Sequence, residues 1–170
     1  MITHTTKQGH IDPNSMVAFR ADLWLLLGKA FDVHLFYACA RGHLPAVHVL
    51  AEQYPLDARA ENNAALCWAS INGHLFVVAY LTEHFQLTQE DARANDNFAL
   101  RVACHAGHLP VVRYLSEHYQ LTREDARADY NHALRAASEY GHLPVVRYLV
   151  EHYGLTAEDI QAARRGASGT

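Results

Sequence analysis

From about residue 32 onward the apolar residues fall into short helical stripes, not into the alternation of a strand. In the segment NFALRVACHAGHLPVVRYLSEHYQLTREDARADY at 97–130, Leu100, Ala103 and Cys104 stand at i, i+3 and i+4, the spacing that lines one side of a helix. Asn97 reads as its N-cap and Gly107 as its stop. A second stripe follows: Leu109, Val112 and Leu115, with Val111 and Tyr119 beside them. Pro110 suits the first turn of that helix, where its missing N–H is not needed. Arg113, Ser116 and Glu117 fall on the outer side, and Arg113 can pair with Glu117 at i, i+4. Thr122 with Asp125 three residues on resembles a capping box and predicts one further helical turn.

This unit recurs. Gly-His stands at 42–43, 73–74, 107–108 and 141–142, at spacings of 31, 34 and 34. The segments 97–130 and 131–164 overlay without gaps and agree at 22 of 34 positions, which marks duplication of one unit. A period in the thirties predicts a solenoid whose units bury their faces against neighbours. The units are 32–62, 63–96, 97–130 and 131–164. Equivalent N-caps are expected at Asp32, Asn63 and Asn131. The small pair Ala103-Cys104 recurs as Ala38-Cys39, Ala69-Ser70 and Ala137-Ser138, which lets a neighbouring helix approach closely. The Thr-x-x-Asp signal recurs at Thr88/Asp91 and Thr156/Asp159 and is missing from the first, shorter unit. Ser15 to Ala30 reads as an amphipathic helix with Phe19, Leu23, Leu26 and Leu27 on one side, an N-terminal capping helix within 1–31. Residues 165–170 read as a frayed tail.

The string ALR-x-A-x-x-x-GHLPVVRYL-x-EH resembles the ankyrin repeat, over about 32–164. The segments at 33–36, 64–67, 98–101 and 132–135 replace the family's TPLH start, and the Thr-x-Glu-Asp segment replaces its Asp- and Gly-rich finger. The resemblance implies an all-α, ankyrin-like helical solenoid of stacked helix pairs. In place of the β-hairpin finger a short helix or loop is expected. It also implies that the Gly-His imidazoles tie neighbouring loops together by hydrogen bonds.

Composition narrows the function. Half the 170 residues are apolar and 19% are charged, with a net charge of −4, as in a folded chain and against a general nucleic-acid binder. The longest apolar run near the start, 23–27, is too short to span a membrane. Cys39, Cys67 and Cys104 lack a C-x-x-C spacing and read as reduced thiols, so a cytoplasmic setting is expected, the host cytosol for a chain from a pathogen or virus. Thirteen histidines invite a metal. However, one histidine per unit makes a column spaced by about 8–10 Å, too far for ligands that must sit about 2 Å from zinc. The paired acids at 90–91, 124–125 and 158–159 suit helix N-termini, and Arg59, Arg93 and Arg127 can pair with them. No cofactor motif is present, and neither catalytic residues nor metal ligands are assigned.

What varies while the scaffold repeats is the set before and at the end of each first helix. Ile71, Asn72, Asp96, Phe98, His105, Tyr130, His132, Glu139 and Tyr140 are the candidate contact residues, on the face that the resemblance makes concave. Their mix of aromatics, His and Asn suits an interaction surface. The reading is a non-enzymatic protein-binding module: an adaptor, inhibitor or effector with a protein partner and neither nucleic acid nor membrane. It would be a monomer or weak homodimer. One alternative is self-association through Trp24 and Leu25. Another is a His-lined, metal-assisted hydrolase around His105, His132 and Glu139.

Overall fold

The computed structural model describes residues 33–54 and 56–166. The expected capping helix within 1–31, with Trp24 and Leu25, the cap at Asp32 and the end of the tail at 167–170 lie outside them. Helices follow in order: α1 over 33–40, α2 (Leu44–Gln53), α3 (Ala60–Ile71), α4 (Leu75–His84), α5 (Gln89–His105), α6 (Leu109–His118), α7 (Arg123–Ala126), α8 (Ala128–Glu139), α9 (Leu143–Tyr153) and α10 (Ala157–Gly166). The described residues contain no strand. The first helices α3, α5 and α8 pack in a row, the second helices α2, α4, α6 and α9 pack in another, and α10 lies against α8.

The recurring residues make the core. Leu35, Leu66, Leu100 and Leu134 on the first helices and Leu81, Leu115 and Leu149 on the second are fully buried. Each such leucine contributes roughly 1.5–3 kcal/mol of transfer free energy. Cys39, Ser70 and Cys104 are closed off by the next first helix, whereas Ser138 in the last unit is exposed.

Three devices link neighbouring units, the third of them only at the second and third junctions. The first is the Gly-His step. Nε2 of His74 lies 3.1 Å from the carbonyl of Ala40, that of His108 3.1 Å from Ile71 O, and that of His142 2.9 Å from His105 O. A carbonyl only accepts, so each imidazole carries its proton on Nε2. The ring then lies over the glycine of the preceding unit. A Cβ on Gly42, Gly73 or Gly107 would stand 2.4–2.5 Å from an imidazole Nδ1, and all three glycines have positive φ.

The second device is the aspartate of each capping box. Thr88 N–H donates to Asp91 at 2.7 Å, and Thr122 and Thr156 repeat this with Asp125 and Asp159. Arginines of the preceding unit then reach the same carboxylates: Arg59 to Asp91 at 2.9 Å, Arg93 to Asp125 at 2.9 Å, and both Arg123 and Arg127 to Asp159 at 3.0 and 2.6 Å. Burial pushes the Asp125 carboxyl up, but the hydrogen bonds from Arg93 and Thr122 more than offset it, so it sits below the usual range. Asp91 and Asp159 are lowered in the same way, with the Thr N–H the leading favourable partner.

The third is a buried hydroxyl pair. Tyr119 Oη lies 2.8 Å from Thr82 Oγ1, and Tyr153 Oη donates to Ser116 Oγ at 2.6 Å. Burial pushes the Tyr119 phenol up to about 12, against the opposing effect of Thr82. Ser116, expected on the outer side, is therefore buried: the tyrosine of the following unit reaches in to meet it.

The linker also departs from expectation. Asn63, Asn97 and Asn131 do not cap the first helices through their side chains. Each closes a run of three left-handed residues: Glu61-Asn62-Asn63, Asn95-Asp96-Asn97 and Asp129-Tyr130-Asn131, with φ from 50° to 61°. Nδ2 of Asn63 and of Asn97 donates across the stack to the carbonyls of Asp91 and Asp125. Asn and Asp tolerate this region better than other residues with a Cβ, and seven of the nine positions carry one. The expected short helix is present in α7 and at the start of α5, and it feeds these left-handed turns.

Candidate protein-binding face

The non-recurring residues lie on the row of first helices and on the left-handed turns that feed them. Each first helix shows solvent the positions that do not point into the stack, and those positions differ from unit to unit. Between α3 and α5 they leave a cleft of about 230 Å³, lined by Ala64, Cys67, Trp68, Ile71, Phe98 and Val102, with Glu61, Asn62 and Asn95 at its rim. Trp68 is 50% exposed and Phe98 38%. Arg101 lies over the Phe98 ring at 5.6 Å.

The structure brings together some of the candidate residues. Ile71 and Phe98 share the cleft. His105 and Tyr140 meet one unit on, their rings 4.3 Å apart. His132 feels the charge of His105 across the α5–α8 junction. Asn72 is exposed, but its Nδ2 donates to Trp68 O at 2.9 Å, so it helps to hold the end of α3. Asp96 and Glu139 are exposed. Tyr130 stands apart from the cleft, 85% exposed, on a left-handed turn.

Trp68 was missed, along with Cys67 and Val102. The variation read from the sequence lies at the helix ends, whereas Trp68 sits mid-helix in register with Tyr37 and Val102. A bulky aromatic where the third and fourth units carry Val102 and Ala136 was the available signal.

Burial pushes the Cys39 thiol up to about 12 and Cys67 to about 11, and Cys104 is raised further by the same cause, so none is a ready thiolate. Among the described residues no three His, Cys, Asp or Glu side chains are placed to share a metal ion, and no helix is long and apolar enough to cross a membrane. His84, His118 and His152 are exposed on the second helices, stacked on Tyr80, Tyr114 and Tyr148.

Comparison with known proteins bears on the architecture. The model of ankyrin repeats (3 copies) matches residues 84–162. No curated protein matches the sequence. Among solved structures, a chain in the crystal structure of the yeast ribosomal protein Rps3 in complex with its chaperone Yar1 is similar at a TM-score of 0.61 and 22% identity, over 76% of this chain and 96% of that one. Residues 84–162 thus match ankyrin repeats directly, and the helix pairs before them are built on the same plan.

Proposed function

We propose that the chain is a non-enzymatic protein-binding module whose partner docks on the concave face formed by the first helices and their turns. The observation that carries this reading is the apolar cleft between α3 and α5, with Trp68 and Phe98 half in water. A cleft of this kind takes one apolar anchor side chain, and buried aromatic contacts of that sort dominate binding free energy.

Tyr130 supports the same reading. It holds a left-handed backbone, φ 55°, at a position where the other units carry Asn62 and Asp96. A bulky residue there costs about 1–2 kcal/mol, and nothing in the stack repays it, since the ring is in solvent. Local strain of this kind is concentrated at functional sites.

The test is affinity capture from a cell lysate, comparing the natural chain with Trp68→Ala and with Phe98→Ala combined with Tyr140→Ala. Loss of the captured protein, by about thirtyfold in affinity for a central anchor, with a melting temperature nearly unchanged, is the expected result. Variants that still capture the partner equally, or that unfold the stack, would show that these residues serve the fold alone.

A further inference from the structure

An irregularity in the repeat points to the chemistry of the partner. In the third unit, Arg101 is paired through both terminal nitrogens. Its Nη2 meets Asp129 at 2.8 Å, and its Nη1 donates to the carbonyls of Asn95 and Asp96. One period later the same arginine stands at Arg135, but the residue one period after Asp129 is Ala163. The counter-charge has gone while the cation remains. Arg135 is half-buried, and among the described residues it has no hydrogen-bond or ion-pair partner.

Beside it on α8 is His132, also half-buried, whose Nδ1 is shut off from water with no hydrogen-bond partner. The charged groups around this imidazole come from both helices packed there: Arg101 and His105 from α5, Arg135 and Asp129 from α8. A half-buried guanidinium without a protein anion is open to one from outside, and its planar fork fits a carboxylate with two parallel bonds. Helix α8 packs against α5, whose Phe98 and Val102 line the apolar cleft. The seat therefore lies about one helix spacing, roughly 8–10 Å, from the cleft.

We propose that Arg135 and His132 together seat a carboxylate side chain of the partner, an Asp or Glu lying two or three residues along an extended segment from the apolar side chain that fills the cleft. This rests on the reading of the face as a binding surface and adds the identity of what binds there. About 3.3 Å of reach per extended residue sets the spacing. The net charge of −4 disfavours a polyanion as the source of the negative group.

Proton linkage follows. Burial, then Arg101 and Arg135, hold the His132 imidazole below its ordinary range, so it is neutral near pH 7. A carboxylate placed beside it favours the charged form, so binding takes up a proton and tightens as pH falls from about 7.5 to about 6. The partner carboxylate stays ionised over that window.

The test is selection of displayed short random peptides on the purified full chain near pH 6. The expected winners pair an apolar side chain with an Asp or Glu at a fixed short spacing. Their affinity should fall about tenfold to a hundredfold with Arg135→Glu and by less with Arg135→Gln. His132→Gln should remove the gain on acidification, and melting temperatures show which variants fold. Two results fail differently. Peptides that need Trp68 but carry no acid, or bind Arg135→Gln and Arg135→Glu as well as the natural chain, overturn the carboxylate seat and leave the binding face standing. Peptides indifferent to Trp68, Phe98 and Arg135 alike, or no enrichment at all, overturn both.

Discussion

Replacing Gly107 by alanine isolates the energy of one joint in the stack, because Gly141 provides a matched control. The two glycines have nearly the same backbone, φ 77° and 73°, so a methyl group meets similar left-handed strain at both, about 1–2 kcal/mol. Their surroundings differ. At Gly107 the new Cβ falls 2.4 Å from Nδ1 of His142 and 2.7 Å from two ring carbons, while at Gly141 nothing lies within 4 Å. The His142 ring must swing away, and its 2.9 Å bond to His105 O is lost. That removes about 0.5–1.5 kcal/mol and leaves a carbonyl unpaired, for a further cost of similar size. Gly107→Ala should thus cost about 1–3 kcal/mol more than Gly141→Ala, a gap of several degrees in melting temperature for a chain of this size. Urea denaturation followed by far-ultraviolet circular dichroism measures it. In a His142→Ala background the excess should vanish, since the ring that creates it is gone. Equal losses at the two glycines, or an excess that survives without His142, would refute the joint as described.

The capping-box aspartates set the response to acid. Because Asp91, Asp125 and Asp159 are held below their ordinary range, their contribution is complete above the unfolded value near ~3.9 and is lost as pH falls through the lower folded values. Urea midpoints should fall modestly between about pH 7 and 5, as the lowered His132 is forced to charge, and drop steeply below about pH 4, and Asp125→Asn should flatten that steep limb; an unchanged acid limb would contradict the assignment. Gln120 closes α6 with φ 49°, where the last unit has Gly154 at φ 60°, so Gln120→Gly should stabilise by about 1 kcal/mol. A lower urea midpoint would show that the glutamine side chain contributes more than its strain removes.

The stack was legible in the sequence because its links are made by residues that must recur. A leucine facing the core, a small residue under the next helix and a histidine over a glycine leave the same mark in every unit. The linker was read less well. Asn97 favours a helix N-cap and a left-handed turn for related reasons, a short polar side chain that bonds close to its own backbone, and the local string does not separate the two. Ser116 was misplaced for another reason. Its partner, Tyr153, lies 37 positions away, beyond any local periodicity. On the candidate face, Ile71 and Phe98 were visible as departures from the repeat, whereas Trp68 required comparison of mid-helix registers. The unpaired state of Arg135 could be found only after the structure had paired Arg101 with Asp129.

All three joints between units run from one copy to the copy beside it, and none skips a neighbour. Length is consequently a free variable of this architecture. A further 34-residue segment inserted after Tyr130 would meet a glycine below, offer a histidine seat above and inherit a carboxylate for the preceding arginine. Lineages that use this scaffold can therefore widen or shorten their recognition surface by whole modules without redesigning what lies on either side.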